Sequence, residues 1–286
     1  MMVQKVAVVT DSTAVIPDSA LCGLHIPVIP LWLLWDDDRY RDGVDIDPLT
    51  FYRRLHERAT LPTTSQPSVG EFIDFFRHVA EEKLTDTIVG TFVTGKISGT
   101  VDAAKAAAAQ LPDLNITVFD SLSTSMGLGF VALAAAKVAE AGGSLERVVE
   151  VANSVHERLS VLFAVDTLEY LHKGGRIGGA KKLLGTMLNI KPLLHLENGY
   201  VEALRQVRTK RRALSEMLDT ARANLMGKPM EEVAVIDADD REEGDRVARE
   251  VQERFNVSTV IRTAVSPVIG THAGPGTVGL AFYRRK

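Results

Sequence analysis

Three times in its first half, the chain runs a short apolar stretch straight into a loop of small hydroxyl and acidic residues. Residues 6–9 lead into Thr10-Asp11-Ser12, residues 88–93 into Thr94-Gly95-Lys96-Ile97-Ser98-Gly99-Thr100, and residues 116–119 into Asp120-Ser121. Parallel strands of an open α/β sheet end along one edge, and ligands bind in the crevice beyond those ends. Such a chain is constrained to gather small donors and acceptors at one place.

The segments between these stretches carry helix signals. Asp47 before Pro48 is an N-cap followed by a proline at the first helical position. Ser68 and Glu71 form a capping box, which predicts a helix over 69–83 directly after the loop Thr63-Thr64-Ser65-Gln66-Pro67. That loop would sit at a helix N-terminus, where backbone amides favour an anion. Helices are predicted over 99–110, 126–141 and 145–159 as well. The alternation implies a parallel sheet covered on both faces, an N-terminal Rossmann-like α/β/α domain over residues 1–160.

Beyond residue 160 the pattern changes. Strand-like runs over 190–196 and 200–207 are joined through Glu197-Asn198-Gly199, and Asn-Gly between apolar runs signals a hairpin. Helices over 210–226 and 240–255, and strands over 233–236, 259–264, 268–271 and 280–283, give a C-terminal mixed α/β domain over 161–286.

With 286 residues, the chain is long enough to bury two ordinary cores. Its net charge of −4 gives no bulk attraction to nucleic acid. That charge is unevenly placed: from His172 to Arg212, ten Lys or Arg oppose two Glu, a local +8 that leaves −12 for the remainder. The basic stretch includes Lys173-Gly174-Gly175-Arg176-Ile177-Gly178-Gly179, and it suits either an acidic or phosphate-bearing partner or a solvated face. Tyr200 is its one aromatic residue, which makes it a poor platform for nucleic acid.

Cys22 is the single cysteine, so no internal disulfide is expected, a reducing compartment suits the chain, and the thiol reads as a small buried hydrophobe. A strand pattern begins almost at once, without the charged and apolar regions of a secretory signal. The longest apolar stretch, 26–35, contains Pro27 and Pro30 and falls short of the ~20 residues that span a bilayer. A cytoplasmic location, no transmembrane segment and a buried strand over 26–35 are the expectations.

Gly274-Pro275-Gly276-Thr277-Val278-Gly279 has the spacing of a dinucleotide-binding fingerprint, but only seven residues follow it, too few for the required helix and acidic residue. It reads as a tight glycine turn that lets backbone approach a ligand beside His272. The seven histidines lack metal-ligand spacing, and the acidic run over 36–47 lacks the glycine and glutamate of an EF-hand loop. No metal and no cofactor are expected.

Eight motifs in order carry a family resemblance: Thr10-Asp11-Ser12-Thr13-Ala14, Thr64-Ser65-Gln66-Pro67-Ser68, Ser98-Gly99-Thr100, Asp120-Ser121, Lys173-Gly174-Gly175-Arg176, Lys191-Pro192, Gln206-Val207-Arg208 and Thr271-His272-Ala273-Gly274-Pro275-Gly276. Together they resemble the DegV family of bacterial fatty-acid-binding proteins over nearly the whole chain. The resemblance implies a two-domain α/β lipid carrier without catalysis of its own. It would hold one long-chain fatty acid, about C14 to C18, between its domains and present the carboxylate to a separate ATP-dependent fatty acid kinase, giving acyl phosphate for phospholipid synthesis. A transient contact with a membrane surface is compatible with this role.

Carried over residue by residue, the family's carboxylate-binding hydroxyls fall on Thr64 and Ser98, its polar and basic head-group residues on Arg208 and His272, and its kinase-facing arginine on Arg176. Taken alone, Thr64 and Ser98 also suit N-caps, and His272 suits a satisfied core position. A tail of about 15 methylenes at roughly 0.8 kcal/mol each offers on the order of 12 kcal/mol before ordering costs, so the head group needs only positioning. The alanine-rich segments 103–109 and 132–136 leave room for a slender tail or simply pack closely.

The chain departs from the family pattern at Val15, where Asp is common, at Thr94-Gly95, where paired serines are common, and at Thr209, where a glycine commonly follows the arginine. The competing class is an enzyme acting alone. It would be a serine-type esterase using Ser12, Ser98 or Ser121 with His272, or a phosphotransfer enzyme on a small carboxylate or polyol.

Overall fold

The structure, a computed structural model, describes residues 5–185 and 190–286. In chain order it begins with β1 (Val6–Asp11), α1 (Asp18–Leu21), β2 (Val28–Ile29), β3 (Trp32–Trp35), β4 (Asp38–Arg41), α2 (Pro48–Glu57), β5 (Thr63–Ser65), α3 (Val69–Lys83) and β6 (Thr87–Phe92). Then come α4 (Thr100–Ala108), β7 (Asn115–Asp120), α5 (Ser125–Glu140), α6 (Leu145–His156), β8 (Leu159–Ala164) and α7 (Glu169–Lys173). The remainder is β9 (Lys191–Glu197), β10 (Tyr200–Val207), α8 (Lys210–Asn224), β11 (Met230–Asp237), α9 (Arg241–Phe255), β12 (Ile261–Ala264), α10 (Pro267–Ala273) and β13 (Val278–Arg284).

These elements group into two compact units. One holds the described residues up to Trp32 with Ser65–Glu157, the other Leu33–Thr64 with Arg158–Lys286. Residues 33–64 therefore group with the later part of the chain, which a single division near residue 160 does not anticipate; positions 1–4 and 186–189 lie outside the described residues. The reason is the packing of that excursion. The Asp42 carboxylate accepts the Val268 amide at 3.3 Å, and the Phe51 and Tyr52 rings close on Gly270.

The first unit is a four-stranded parallel sheet in the order β2-β1-β6-β7. β1 and β6 are buried along their whole length, as central strands of a covered parallel sheet are. Phe72, Phe76, Val101 and Ala104 bring α3 and α4 onto Val9, Ile88 and Phe92, while α5 and α6 pack on each other and reach β1 and β6. The stretch 26–35 is two strands rather than one. Pro30 has no amide to donate and separates β2 from β3, which pairs instead with β4 and β5.

The second unit is built on a six-stranded sheet in the order β10-β9-β8-β13-β11-β12, antiparallel except for the β11–β12 pair. Leu214, Met217, Leu218, Val247 and Val251 of α8 and α9 bury against Val235, Leu280 and Phe282. The Asn198-Gly199 turn between β9 and β10 has both residues at positive φ, 51° and 83°, as a two-residue hairpin of that type requires.

Two sequence expectations are corrected. Residues 268–271 are helical, not a strand: the Ser266 hydroxyl caps the Ile269 amide at 3.3 Å and Pro267 occupies the first helical position of α10. Cys22 is exposed rather than buried, because it takes the left-handed conformation that ends the one-turn helix α1. Among the described residues, no helix is long and apolar enough to cross a membrane.

The loops at the carboxyl edge of the parallel sheet hold one another. Asp11 Oδ1 accepts the Thr13 amide at 2.9 Å and the Thr13 hydroxyl at 2.6 Å, and Oδ2 accepts the Val93 amide at 2.7 Å. The Thr94 amide donates to the Ser123 carbonyl at 2.9 Å, and the Gly95 amide to Asp120 Oδ2 at 3.2 Å. Asp11 is fully buried, and burial pushes its carboxyl up from 3.8 to about 6 against the opposing bonds from Thr13 and Val93. The folded state thus holds this proton more tightly than the unfolded chain. The stabilising contribution is complete below pH 3.8 and is lost as pH rises through about 6. Asp11→Asn, uncharged throughout, is expected to flatten the pH dependence of urea unfolding across that window. A variant with the wild-type slope would show that another group sets it.

Candidate functional site

α10 carries His272 in its last turn, and the turn Gly274-Pro275-Gly276 follows. Thr64, in β5, sets its Oγ1 2.8 Å from His272 Nε2. Thr64 is therefore not an N-cap, as its place before a helix allowed; its hydroxyl is committed to the imidazole. On the other side of the ring, Nδ1 is buried without a hydrogen-bond partner, and a Cβ on Gly174 would stand 2.2 Å from it. Burial first, and the charge of Arg176 second, lower the imidazole from 6.5 to about 4, so it is neutral at pH 7.

A neutral imidazole has one hydrogen to place. On Nε2 it is donated to Thr64 Oγ1, leaving only a lone pair at Nδ1, whereas on Nδ1 it would be a buried N–H without an acceptor, the costlier arrangement. Thr64 then accepts from His272 and has its own O–H left to donate. Such a pair can present a hydroxyl donor to an oxyanion such as a carboxylate.

The glycine-rich basic segment forms one wall of this arrangement. After α7, Gly175 turns the chain at a φ of 71°, and an Arg176 guanidinium nitrogen donates to the Gly174 carbonyl at 2.7 Å. Gly274 and Gly276 both sit at a φ of +77°, where a Cβ would meet the Tyr170 ring at 2.3 Å and Asp166 Oδ2 at 2.6 Å respectively. The turn beside His272 thus needs bare backbone. What comes close to it is the protein's own Tyr170 and Asp166.

The other anticipated residues are placed differently. Arg208 is exposed in the bend before α8, and Thr209 caps that helix by accepting the Arg212 amide at 3.2 Å, which the commoner glycine would not do. Ser98 lies in the first unit. Its hydroxyl lies 2.8 Å from that of Thr100 and accepts the Thr100 amide at 3.3 Å, a local turn at the start of α4. The side chain of Gln66, two residues beyond Thr64 in the chain, packs on Gly99 next to Ser98.

The N-terminus of α3, expected to favour an external anion, is closed by the protein's own carboxylate. Glu71 Oε2 accepts the Ser68 amide and hydroxyl, each at 2.7 Å. At the departures, Val15 adopts a left-handed φ of 46°, Thr94 is buried with its hydroxyl accepting the Lys96 amide at 3.2 Å, and a side chain at Gly95 would crowd Asp120 at 3.1 Å. Among the described residues, no group of three His, Cys, Asp or Glu is placed to hold a metal.

The sequence marked Gly174 as a member of the Lys173-Gly174-Gly175-Arg176 motif, but not that it decides where the imidazole sits. Gly174→Ala is expected to displace the ring, break the Thr64 bond and move the His272 titration from about 4 toward 6.5, as read by imidazole NMR. An unmoved titration would mean that the ring is not held by that contact.

Comparison with known proteins agrees with the eight motifs. The family described as "Uncharacterised protein, DegV family" matches residues 5–285. A DegV domain-containing protein of Listeria innocua is 35% identical over 281 residues, 98% of this chain and 99% of that one. A DegV family protein from Thermus thermophilus, described for its fatty acid binding, superposes with a TM-score of 0.92 at 35% identity, covering 99% of this chain and 100% of that chain. DegV of Bacillus subtilis, a fatty acid binding protein, gives 0.90 at 31% identity with the same coverage, and a stearic acid-binding protein from Eubacterium ventriosum gives 0.87 at 27% over 97% of each chain. The chain belongs to the DegV family.

Proposed function

We propose that this protein binds a long-chain fatty acid and acts as a carrier, not as an enzyme. Fatty acid binding by similar DegV proteins supports the ligand class. The observation that carries the reading to this chain is the Thr64–His272 pair, a hydroxyl oriented by a buried neutral imidazole in the electrostatic reach of Arg176. In this reading Thr64 and Ser98 donate to the carboxylate, His272 orients Thr64, and Arg208 supplies positive charge. A carboxylate taken from water needs such donors, and no metal is required.

The carrier presents its bound carboxylate to a separate ATP-dependent kinase in the cytoplasm. A carboxylate oxygen attacks the γ-phosphorus of ATP, giving an acyl phosphate for phospholipid synthesis and releasing ADP. The basic stretch from His172 to Arg212 suits a docking partner of opposite charge, and Arg176, whose charge reaches His272, is the contact assigned to that partner.

Native mass spectrometry of the freshly purified protein, followed by lipid extraction, tests the ligand. A stoichiometric fatty acid adduct is expected, and a clean mass that stays unchanged after incubation with stearic acid would sink the reading. Thr64→Ala with Ser98→Ala is expected to lower stearic acid affinity roughly 100- to 10,000-fold, the loss of two bonds to a charged group. Arg176→Ala is expected to slow kinase-dependent phosphorylation far more than it weakens fatty acid binding. Equal losses would count against its partner role.

A further inference from the structure

The turn behind His272 is held by a cation that the head-group reading leaves without a role. Lys210 is the first residue of α8, two positions after Arg208. Its ammonium bonds the Asp240 carboxylate and the Gly276 carbonyl, and lies 3.7 Å from Asp166 Oδ1. Asp166 also pairs with Lys191 at 3.1 Å and fits against Gly276, while Asp240 caps α9 by accepting the Glu243 amide at 3.4 Å. A cation in the first turn of a helix opposes the helix dipole, and α8 has no acidic residue there. For Lys210, with its side chain 21% exposed, these acceptors are what offset that cost.

One ammonium therefore joins the start of α8, the start of α9 and the glycine turn that closes four residues after His272. We propose that Lys210 is a positioning residue, which clamps the Gly276 carbonyl to the start of α8 and so fixes the Arg208 bend relative to the His272 turn. The proposal rests on the fatty-acid reading for the ligand, but its effect on His272 does not. Without the ammonium, the Gly276 carbonyl loses this donor, and Asp166 and Asp240 share a region with one countercharge fewer.

Lys210→Met and Lys210→Arg, made in the full chain, separate positioning from folding. Imidazole NMR of His272 and competitive binding of stearic acid are the two measurements. Lys210→Met is expected to shift the Nε2 signal, raise the His272 titration from about 4 toward 6.5, and weaken stearic acid binding roughly 10-fold. Lys210→Arg keeps a charged donor and is expected to restore both. Wild-type imidazole signals in the Met variant would overturn the proposal, as would equal losses in both variants that track a lowered melting temperature. A shifted imidazole in a protein whose wild type takes no stearic acid would support the clamp and overturn the fatty-acid reading instead.

Discussion

The imidazole of His272 is held by what its neighbours lack. No side chain at Gly174 keeps the ring from its buried place, and no side chains at Gly274 and Gly276 keep the following turn from Tyr170 and Asp166. Burial then makes the ring neutral, and a neutral ring has a single hydrogen, which orients Thr64. The chemistry offered at that hydroxyl is thus a consequence of backbone packed against backbone. The charge that acts on the imidazole is that of Arg176, whose guanidinium is anchored to the Gly174 carbonyl.

The first unit solves a different problem at its sheet edge. Positions where amides point outward at loop and helix starts are already satisfied by internal carboxylates: Asp11 on Thr13 and Val93, Asp120 on Gly95 and Leu122, and Glu71 on Ser68. These acids rigidify the loops and give that edge no surplus of positive charge. The cations concentrate in the stretch from His172 to Arg212 of the second unit, which is where a negatively charged group finds long-range attraction.

Much of this was legible in the sequence wherever a short-range rule acts alone. The capping box of Ser68 and Glu71, the Asp47 cap and the Asn198-Gly199 hairpin each depend on residues a few positions apart. The family motifs located Thr64 and His272, whose mutual bond the chain brings about across 208 positions. What stayed hidden depends on tertiary packing or on competing local signals. Val268 and Ile269 resemble a strand until Ser266 and Pro267 are recognised as a helix start. Cys22 looks apolar but ends a single helical turn at the surface, and the roles of Gly174 and Lys210 exist only once distant segments meet.

The grouping of residues 33–64 with the end of the chain has a consequence for synthesis. The Asp42 carboxylate and the Val268 amide that it binds are separated by 226 positions. At about 5–20 residues per second of translation, Phe51 and Tyr52 wait roughly 10 to 45 seconds for the helix that packs on them at Gly270. During that interval the excursion lacks the helix it packs on, while the parallel sheet of the first unit needs no residue beyond Asp120 to complete its strands. Nascent chains of this kind are exposed to chaperones and proteases at a defined place, the excursion, and for a time set by the length of the chain still to come.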